Sequence, residues 1–205
     1  MSVPQSNVMV GLSNAGAPQL NICDPDGAVL QSDLSPQYYM STKKGRMFTA
    51  SNQSVATTTV GLATTYTGLC ISNPVGSGID MTLTFASVMQ SVIQSTQVEA
   101  YAIAVGSNST TNVNHTAAIT PVSNRIGSGL SAVGKADSSA TLPTAPTYHT
   151  FVHNTATATS DGPGSVIDLK GSIVLAPGSY ACWVTPAQAS VAGLWFSFSW
   201  IETAI

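Results

Sequence analysis

The chain has 205 residues, of which 43% are apolar and only 7% are Asp, Glu, Lys or Arg, with a net charge of −3. An ordinary soluble domain is about 25% charged, so this chain is wetted by hydroxyl and amide side chains, and a surface so poor in charge resembles protein–protein contact area. The charge balance excludes the electrostatic footprint of direct nucleic-acid binding, and no apolar run reaches the roughly 18 residues that cross a membrane.

The first residues, Met-Ser-Val-Pro-Gln-Ser-Asn, lack a positive region followed by an apolar run, so no signal peptide is expected. Residues 1–36 contain Pro4, Pro18, Pro25 and Pro36 and no sustained periodicity. They are expected to form an extended N-terminal arm with one short strand, the kind of segment that adds to a neighbour's sheet edge. Asp24-Pro25-Asp26-Gly27 is turn chemistry and too short for a calcium loop.

Residues 37–205 carry the β signal. Lys43-Lys44-Gly45-Arg46 holds three of the six basic residues and lies between the strand-like Tyr38–Met40 and Met47–Thr49. It is either a solvated turn or a docking contact to an acidic neighbour, the latter worth little unless desolvated. Val55–Val60 and Leu69–Ser72 are short strands, and Asn73-Pro74-Val75-Gly76-Ser77-Gly78 is a turn. Ile79, Met81, Leu83 and Phe85 alternate with Asp80, Thr82, Thr84 and Ala86, which predicts a half-buried strand with the first four on one face. In 98–105 the small residues Val98, Ala100, Ala102 and Ala104 share a face that another surface can approach closely.

Residues 106–147 are rich in Ser, Thr, Asn, Gly and Ala and form a long excursion. A structureless loop of that length is unusual, so an extended path ordered against a neighbour is expected, with a strand over Ala117–Val122. Tyr148–Thr159 and Ser165–Leu169 are further strands. At the chain end, Gly171–Thr185 gives a strand, a Pro177-Gly178 corner and a strand, and Leu194–Glu202 closes. Leu194, Phe196, Phe198 and Trp200 fall on one face of that last strand, and Trp195, Ser197, Ser199 and Ile201 on the other. Burying the four large residues is worth about 6–12 kcal/mol, the scale of a whole domain's net stability. Their face belongs in a core, and Trp195 and Ile201 are candidates for contact with a neighbouring subunit. About eight to ten short strands separated by turns, with no capped helix, predict an all-β fold, a jelly-roll-like antiparallel β-sandwich.

Catalytic chemistry is sparse. Cys23, Cys70 and Cys182 are odd in number and widely spaced, which fits a reducing compartment and no disulfide framework. N-x-[ST] sequences at Asn52, Asn108 and Asn114 are chance matches in so Ser/Thr-rich a chain. His149 and His153 are four apart, which on a strand separates them by about 13 Å, and His115 lies in the polar excursion. The acids are scattered; Glu99 and Asp168 are one conceivable glycosidase pair among many. There is no nucleophile elbow, P-loop or zinc-protease motif. No catalytic residue, metal site or cofactor is expected, and the chain is not expected to be an enzyme. A glycan platform built on Trp183 and Trp195 is the alternative, with Tyr38 and Tyr39 as further aromatic candidates; Trp200 is assigned to the core.

The run Ile167-Asp-Leu-Lys-Gly-Ser-Ile-Val-Leu-Ala-Pro-Gly-Ser-Tyr180, followed by the closing Phe-Ser-Trp-Ile-Glu202, resembles a domain of tailed-bacteriophage virion proteins. So do Tyr38-Tyr-Met-Ser-Thr-Lys-Lys-Gly-Arg-Met-Phe-Thr-Ala50 and Gly68-Leu-Cys-Ile-Ser-Asn-Pro-Val-Gly-Ser-Gly78. The resemblance is of pattern, covers both ends of the β region and leaves 106–147 outside it. It implies a jelly-roll capsid decoration or cement protein, typically a homotrimer. Such a protein is made in the host cytoplasm and seated on the major capsid protein at the virion exterior. Lys43, Lys44, Arg46, Trp195 and Ile201 are then the candidate partner contacts. A receptor- or glycan-binding module of a fibre or tail is the other function weighed.

Overall fold

The computed structural model describes residues 10–12, 18–20, 36–54, 58, 61–91, 99–155, 164–186 and 193–205. The chain divides into two units, Met1–Met40 and Ser41–Ile205. In the first, a hairpin pairs β1 (Val10–Leu12) antiparallel to β2 (Pro18–Leu20). The remainder of the expected arm, including Cys23 and the Asp24–Gly27 turn, lies outside the described residues, as does nearly all of Val55–Val60. Tyr38–Met40, expected to be strand, instead leads into a helical turn, α1 (Tyr39–Lys43). The Tyr39 amide closes on the Pro36 carbonyl, so local turn geometry overrides the β preference of paired tyrosines.

From there every element among the described residues is a strand: β3 (Met47–Ser51), β4 (Thr65–Ser72), β5 (Ile79–Gln90), β6 (Glu99–Ser107), β7 (Asn114–Ile119), β8 (Val122–Ser123) and β9 (Lys135–Thr141). The last five are β10 (Thr147–Thr155), β11 (Gly164–Asp168), β12 (Val174–Leu175), β13 (Ser179–Val184) and β14 (Leu194–Ala204). They form two antiparallel sheets, β10-β6-β13-β4-β9-β7 and β11-β5-β14-β3-β8, with β12 paired to β5. Four ladders organise them: β3–β14, β4–β13, β5–β11 and β6–β10. The pairs alternate between the two sheets, and the whole is an all-β antiparallel sandwich. No helix among the described residues is long and apolar enough to cross a membrane.

The sheets meet through the row anticipated on the closing strand. Leu194, Phe196, Phe198 and Trp200 are all buried, while Trp195 and Ile201 are half-buried on the opposite face. Trp183, fully buried on β13, stacks on Phe196 and Phe198 with ring centroids 5.5 and 5.6 Å apart, bridging one sheet to the other. Its indole N–H donates to the Ser197 carbonyl. The corners are equally specific. Asn73 is buried and donates to the Ile79 and Leu175 carbonyls, tying the β4–β5 turn to β12. Gly178 has φ +86°, and a Cβ there would lie 2.3 Å from the Asn108 carbonyl oxygen, so the Pro-Gly corner admits only glycine.

One face assignment fails. The β5–β14 ladder shifts register beside Ser199, which pairs with Phe85 while Trp200 pairs with Leu83. Thr84 is the extra, bulged residue, and its hydroxyl donates to the Ser199 carbonyl. The 169–173 turn bonds into the same place: Leu169 donates to the Thr84 carbonyl, and the Leu83 amide to that of Ile173. Beyond the bulge the parity is reversed, so Ala86 and Val88 enter the core and Phe85 leaves it.

The excursion is ordered within this same chain. β7 and β9 extend the first sheet, and β8 extends the second. The strand expected over Ala117–Val122 is broken at Thr120-Pro121, its halves going to different sheets. Val113 and Leu142 cover the outer face of the first sheet, burying Tyr66, Cys70, Ala102, Ala104, Tyr180 and Cys182 as a second small core. The small-residue face of β6 is therefore approached by the chain's own excursion. Two-sided burial also explains the unbroken apolar runs Leu69–Ile71 and Ala181–Val184.

Phe198→Ala is expected to cost about 3–5 kcal/mol and Phe85→Ala about 1 kcal/mol or less, compared by urea midpoints. Equal losses would mean that the bulge does not reset the face.

Candidate functional site

The outer face of the second sheet is built from alternate residues of three strands. β14 contributes Trp195, Ser197, Ser199 and Ile201; β3 contributes Thr49 and Ser51; beyond the bulge, β5 contributes Phe85, Ser87 and Met89. Register places Ser197 between Ser51 and Ser87, and Ser199 between Thr49 and Phe85. Val166 of β11 extends the face beside Ser87, and both it and Met89 are exposed.

Four hydroxyls on this face, those of Ser87, Ser197, Thr49 and Ser199, are already partnered. Ser87 Oγ lies 2.5 Å from Ser197 Oγ, and Thr49 Oγ1 lies 2.7 Å from Ser199 Oγ. The Thr49 hydroxyl donates to Asn124 Oδ1 at 2.8 Å, so Ser199 is the donor to Thr49. Covering a polar group is expensive when it loses hydrogen bonds to water without replacement. For these four the replacements exist in advance, and no ionisable side chain lies within 82–89, 195–201 or 49–51. The face can be dehydrated with little polar penalty while gaining contact for Trp195, Ile201 and Phe85.

A groove of about 370 Å³ runs along the β3–β8 edge, walled by Thr49, Ser51, Gln53, Val122, Asn124 and Ile126. Lys43 at the end of α1 and Lys44 and Arg46 on the turn after it stand exposed, and the Arg46 carbonyl accepts the Glu202 amide. The sequence-level contact candidates are thus not one cluster. Trp195 and Ile201 belong to the sheet face, and the basic turn to the end of β3.

Trp183 does not offer a glycan platform: it is fully buried in the stack with Phe196 and Phe198. Trp195 remains half-buried on the outer face. Asn52 is no surface acceptor for a glycan either. It is buried, with its amide nitrogen on the Ser54 and Leu194 carbonyls and its oxygen accepting the Phe196 amide. Glu99 opens β6 in the first sheet and Asp168 ends β11 in the second. His149 is exposed beside Thr150, and the His153 side chain lies outside the described residues. No group of three His, Cys, Asp or Glu side chains gathers among the described residues.

Two arrangements escaped the sequence reading. Glu202 is buried at the end of β14, where its carboxylate accepts the Val133 and Gly134 amides and the Trp200 indole N–H. The Trp-x-Glu element therefore clamps the far end of the excursion to the core. The other is His115, partly exposed on β7, whose Nδ1 lies 2.5 Å from Oδ2 of the buried Asp137 on β9. Asp137 Oδ1 is buried without a partner. Burial pushes the Asp137 carboxyl above the usual range, and the hydrogen bond and charge of His115 pull it partly back. Nothing in the 22-residue spacing signals this pair, because strand register brings it together. Cys70 and Cys182 lie opposite one another on β4 and β13, unbridged. Burial pushes both thiols well above the usual range, which disfavours the reactive thiolate.

No protein family matches this sequence, and no curated protein or solved structure matches the chain.

The raised Asp137 carboxyl means that ionising it opposes folding. That penalty is absent below the unfolded value of about 3.9 and develops as pH rises through the higher folded value. Asp137→Asn, which keeps an acceptor for His115, is therefore expected to gain stability relative to wild type as pH rises above about 4. Urea midpoints across the pH range measure this, and a constant difference would contradict it.

Proposed function

We propose that this chain is a virion structural protein of the capsid-decoration type. It acts as a homotrimer, binds the major capsid protein at the shell exterior and performs no chemistry of its own. The observation that carries the reading is the outer face of the second sheet. It is uncharged across β3, β14 and the bulged half of β5, four of its hydroxyls are paired with one another, and large apolar side chains stand among them. Trp195, Phe85 and Ile201 are only half-buried on this face, and a subunit contact would bury the rest of each. Low overall charge fits the same use, and the pattern resemblance of the closing strands to phage decoration proteins supplies the shell as partner. Buried, unbridged thiols accord with synthesis in a reducing cytoplasm.

The mechanism is linkage. A protein that binds the assembled shell and not its separated subunits stabilises the shell by its binding free energy, about 2.7 kcal/mol at a hundredfold excess over Kd. A receptor- or glycan-binding module is the second reading, and it is favoured by one observation: Trp195 on the face that runs toward the neutral groove lined by Ser51 and Gln53.

Purified protein is expected to pellet with shells that lack it and to raise the temperature at which those shells break open, with no effect of added sugars. Failure to pellet, together with glycan-array binding that Trp195→Ala abolishes, would replace this reading by the second.

A further inference from the structure

We propose that Cys70 and Cys182 are a latent cross-strand disulfide, closed by a peroxide and reopened by a dithiol. Register puts the two residues directly opposite one another on β4 and β13. Backbone bonds along the ladder decide which kind of pair they make. The Asn73 amide donates to the Ser179 carbonyl, so Asn73 and Ser179 are a hydrogen-bonded pair, and the type alternates along the strands from there. Cys70 and Cys182, three steps on, are a non-hydrogen-bonded pair. The other side of β13 agrees. The Asn108 amide donates to the Gly178 carbonyl, and the same alternation turns the Cys182 amide and carbonyl toward Ala104 of β6, away from Cys70. A non-hydrogen-bonded pair is the closer kind, with Cα atoms about 4.5 Å apart, inside the roughly 4.4–6.8 Å that a disulfide spans.

Both side chains lie on the outer face of the first sheet, in the small core that Val113 and Leu142 cover. Each thiol rests on a carbonyl, Cys70 on that of Ile71 and Cys182 on that of Ala104. Bridging therefore asks for rotation of the two side chains and gives up two weak sulfur hydrogen bonds. Burial pushes both thiols up, and the neighbouring Cys182 pushes Cys70 further, so reaction waits on opening of the cover.

The chemistry needs the two thiols and one hydrogen peroxide. A thiolate attacks the O–O bond, giving a sulfenic acid and hydroxide, which leaves as water with the proton that the thiol released. The second sulfur then attacks the sulfenic sulfur, forming the S–S bond and expelling hydroxide, which takes the second thiol's proton. The sulfurs together lose two electrons, and the peroxide is reduced to two waters. Thiol–disulfide exchange with a dithiol reverses the bond. Cys70 and Cys182 stand on the order of a hundred positions apart, and closing so long a loop constrains the unfolded chain strongly. Because β4 and β13 are neighbours inside the first sheet, the chain gains a staple there when it passes into oxidising surroundings.

The test uses the full-length chain carrying Cys23→Ser, which leaves this pair as its only cysteines. A small excess of hydrogen peroxide is expected to remove both thiols, lower the mass by two hydrogens and link the peptides holding Cys70 and Cys182. Dithiothreitol restores both thiols. The bridged protein is expected to unfold at higher urea than the reduced one, and Leu142→Ala, which thins the cover, to bridge several-fold faster. Circular dichroism verifies folding, and wild type carries the same peptide mapping if Cys23→Ser does not fold. Oxygen added to either sulfur without a link, or a link made through Cys23 instead, would overturn the proposal. So would folded protein that keeps both thiols under conditions that oxidise them in the urea-unfolded chain.

Discussion

The structure depends on one contact between its sheets: the indole of Trp183 laid against the rings of Phe196 and Phe198. Trp183 belongs to β13 and the two phenylalanines to β14, strands that sit inside their respective sheets with neighbours on both sides. A stack at that position joins the layers at their middle and fixes which face of β14 points inward. Because side chains alternate, the same choice decides what points outward. The hydroxyl and apolar face proposed as a subunit contact is the obligatory reverse of the core.

The second constraint is that the other sheet is buried on both sides. Its outer face carries tyrosines, cysteines and alanines, and the excursion closes over them with Val113 and Leu142. Tyr180 fastens this cover by donating to the Thr144 carbonyl, while Tyr66 bonds within the sheet to the Leu69 and Trp183 carbonyls. At the far end the Glu202 carboxylate holds Val133 and Gly134. Forty residues that look like linker are thereby turned into structure by a few buried polar contacts. The two sheets end up with opposite fates, one outer face sealed by its own chain and the other left uncharged and uncovered by the excursion.

Legibility in the sequence follows this division. β14 could be read residue by residue, since Leu194, Phe196, Phe198 and Trp200 recur at every second position and all are buried. β5 could be read only as far as Leu83. Its bulge at Thr84 is imposed by pairing with Ser199 and with the 169–173 turn, partners more than eighty residues away that no local pattern announces. β7 and β9 were hidden for a different reason. They are short and largely polar, and they derive their order from the edge they join rather than from an apolar period of their own. Trp183 misled because its neighbours Ala181 and Thr185 look like surface, whereas their sheet is covered on both faces. Among the candidate contacts, Trp195 and Ile201 followed from parity alone. The facing of Cys70 and Cys182 needed the register.

The central claim is that the outside of the β14 sheet is a place where copies of this chain meet. Sedimentation equilibrium of the purified protein tests it most directly, because the molar mass requires neither a shell nor a ligand. If the face is a subunit contact, the mass corresponds to three chains, and Ile201→Asp, folded by circular dichroism, returns the mass of one. A wild-type mass of one chain at every concentration would contradict the claim.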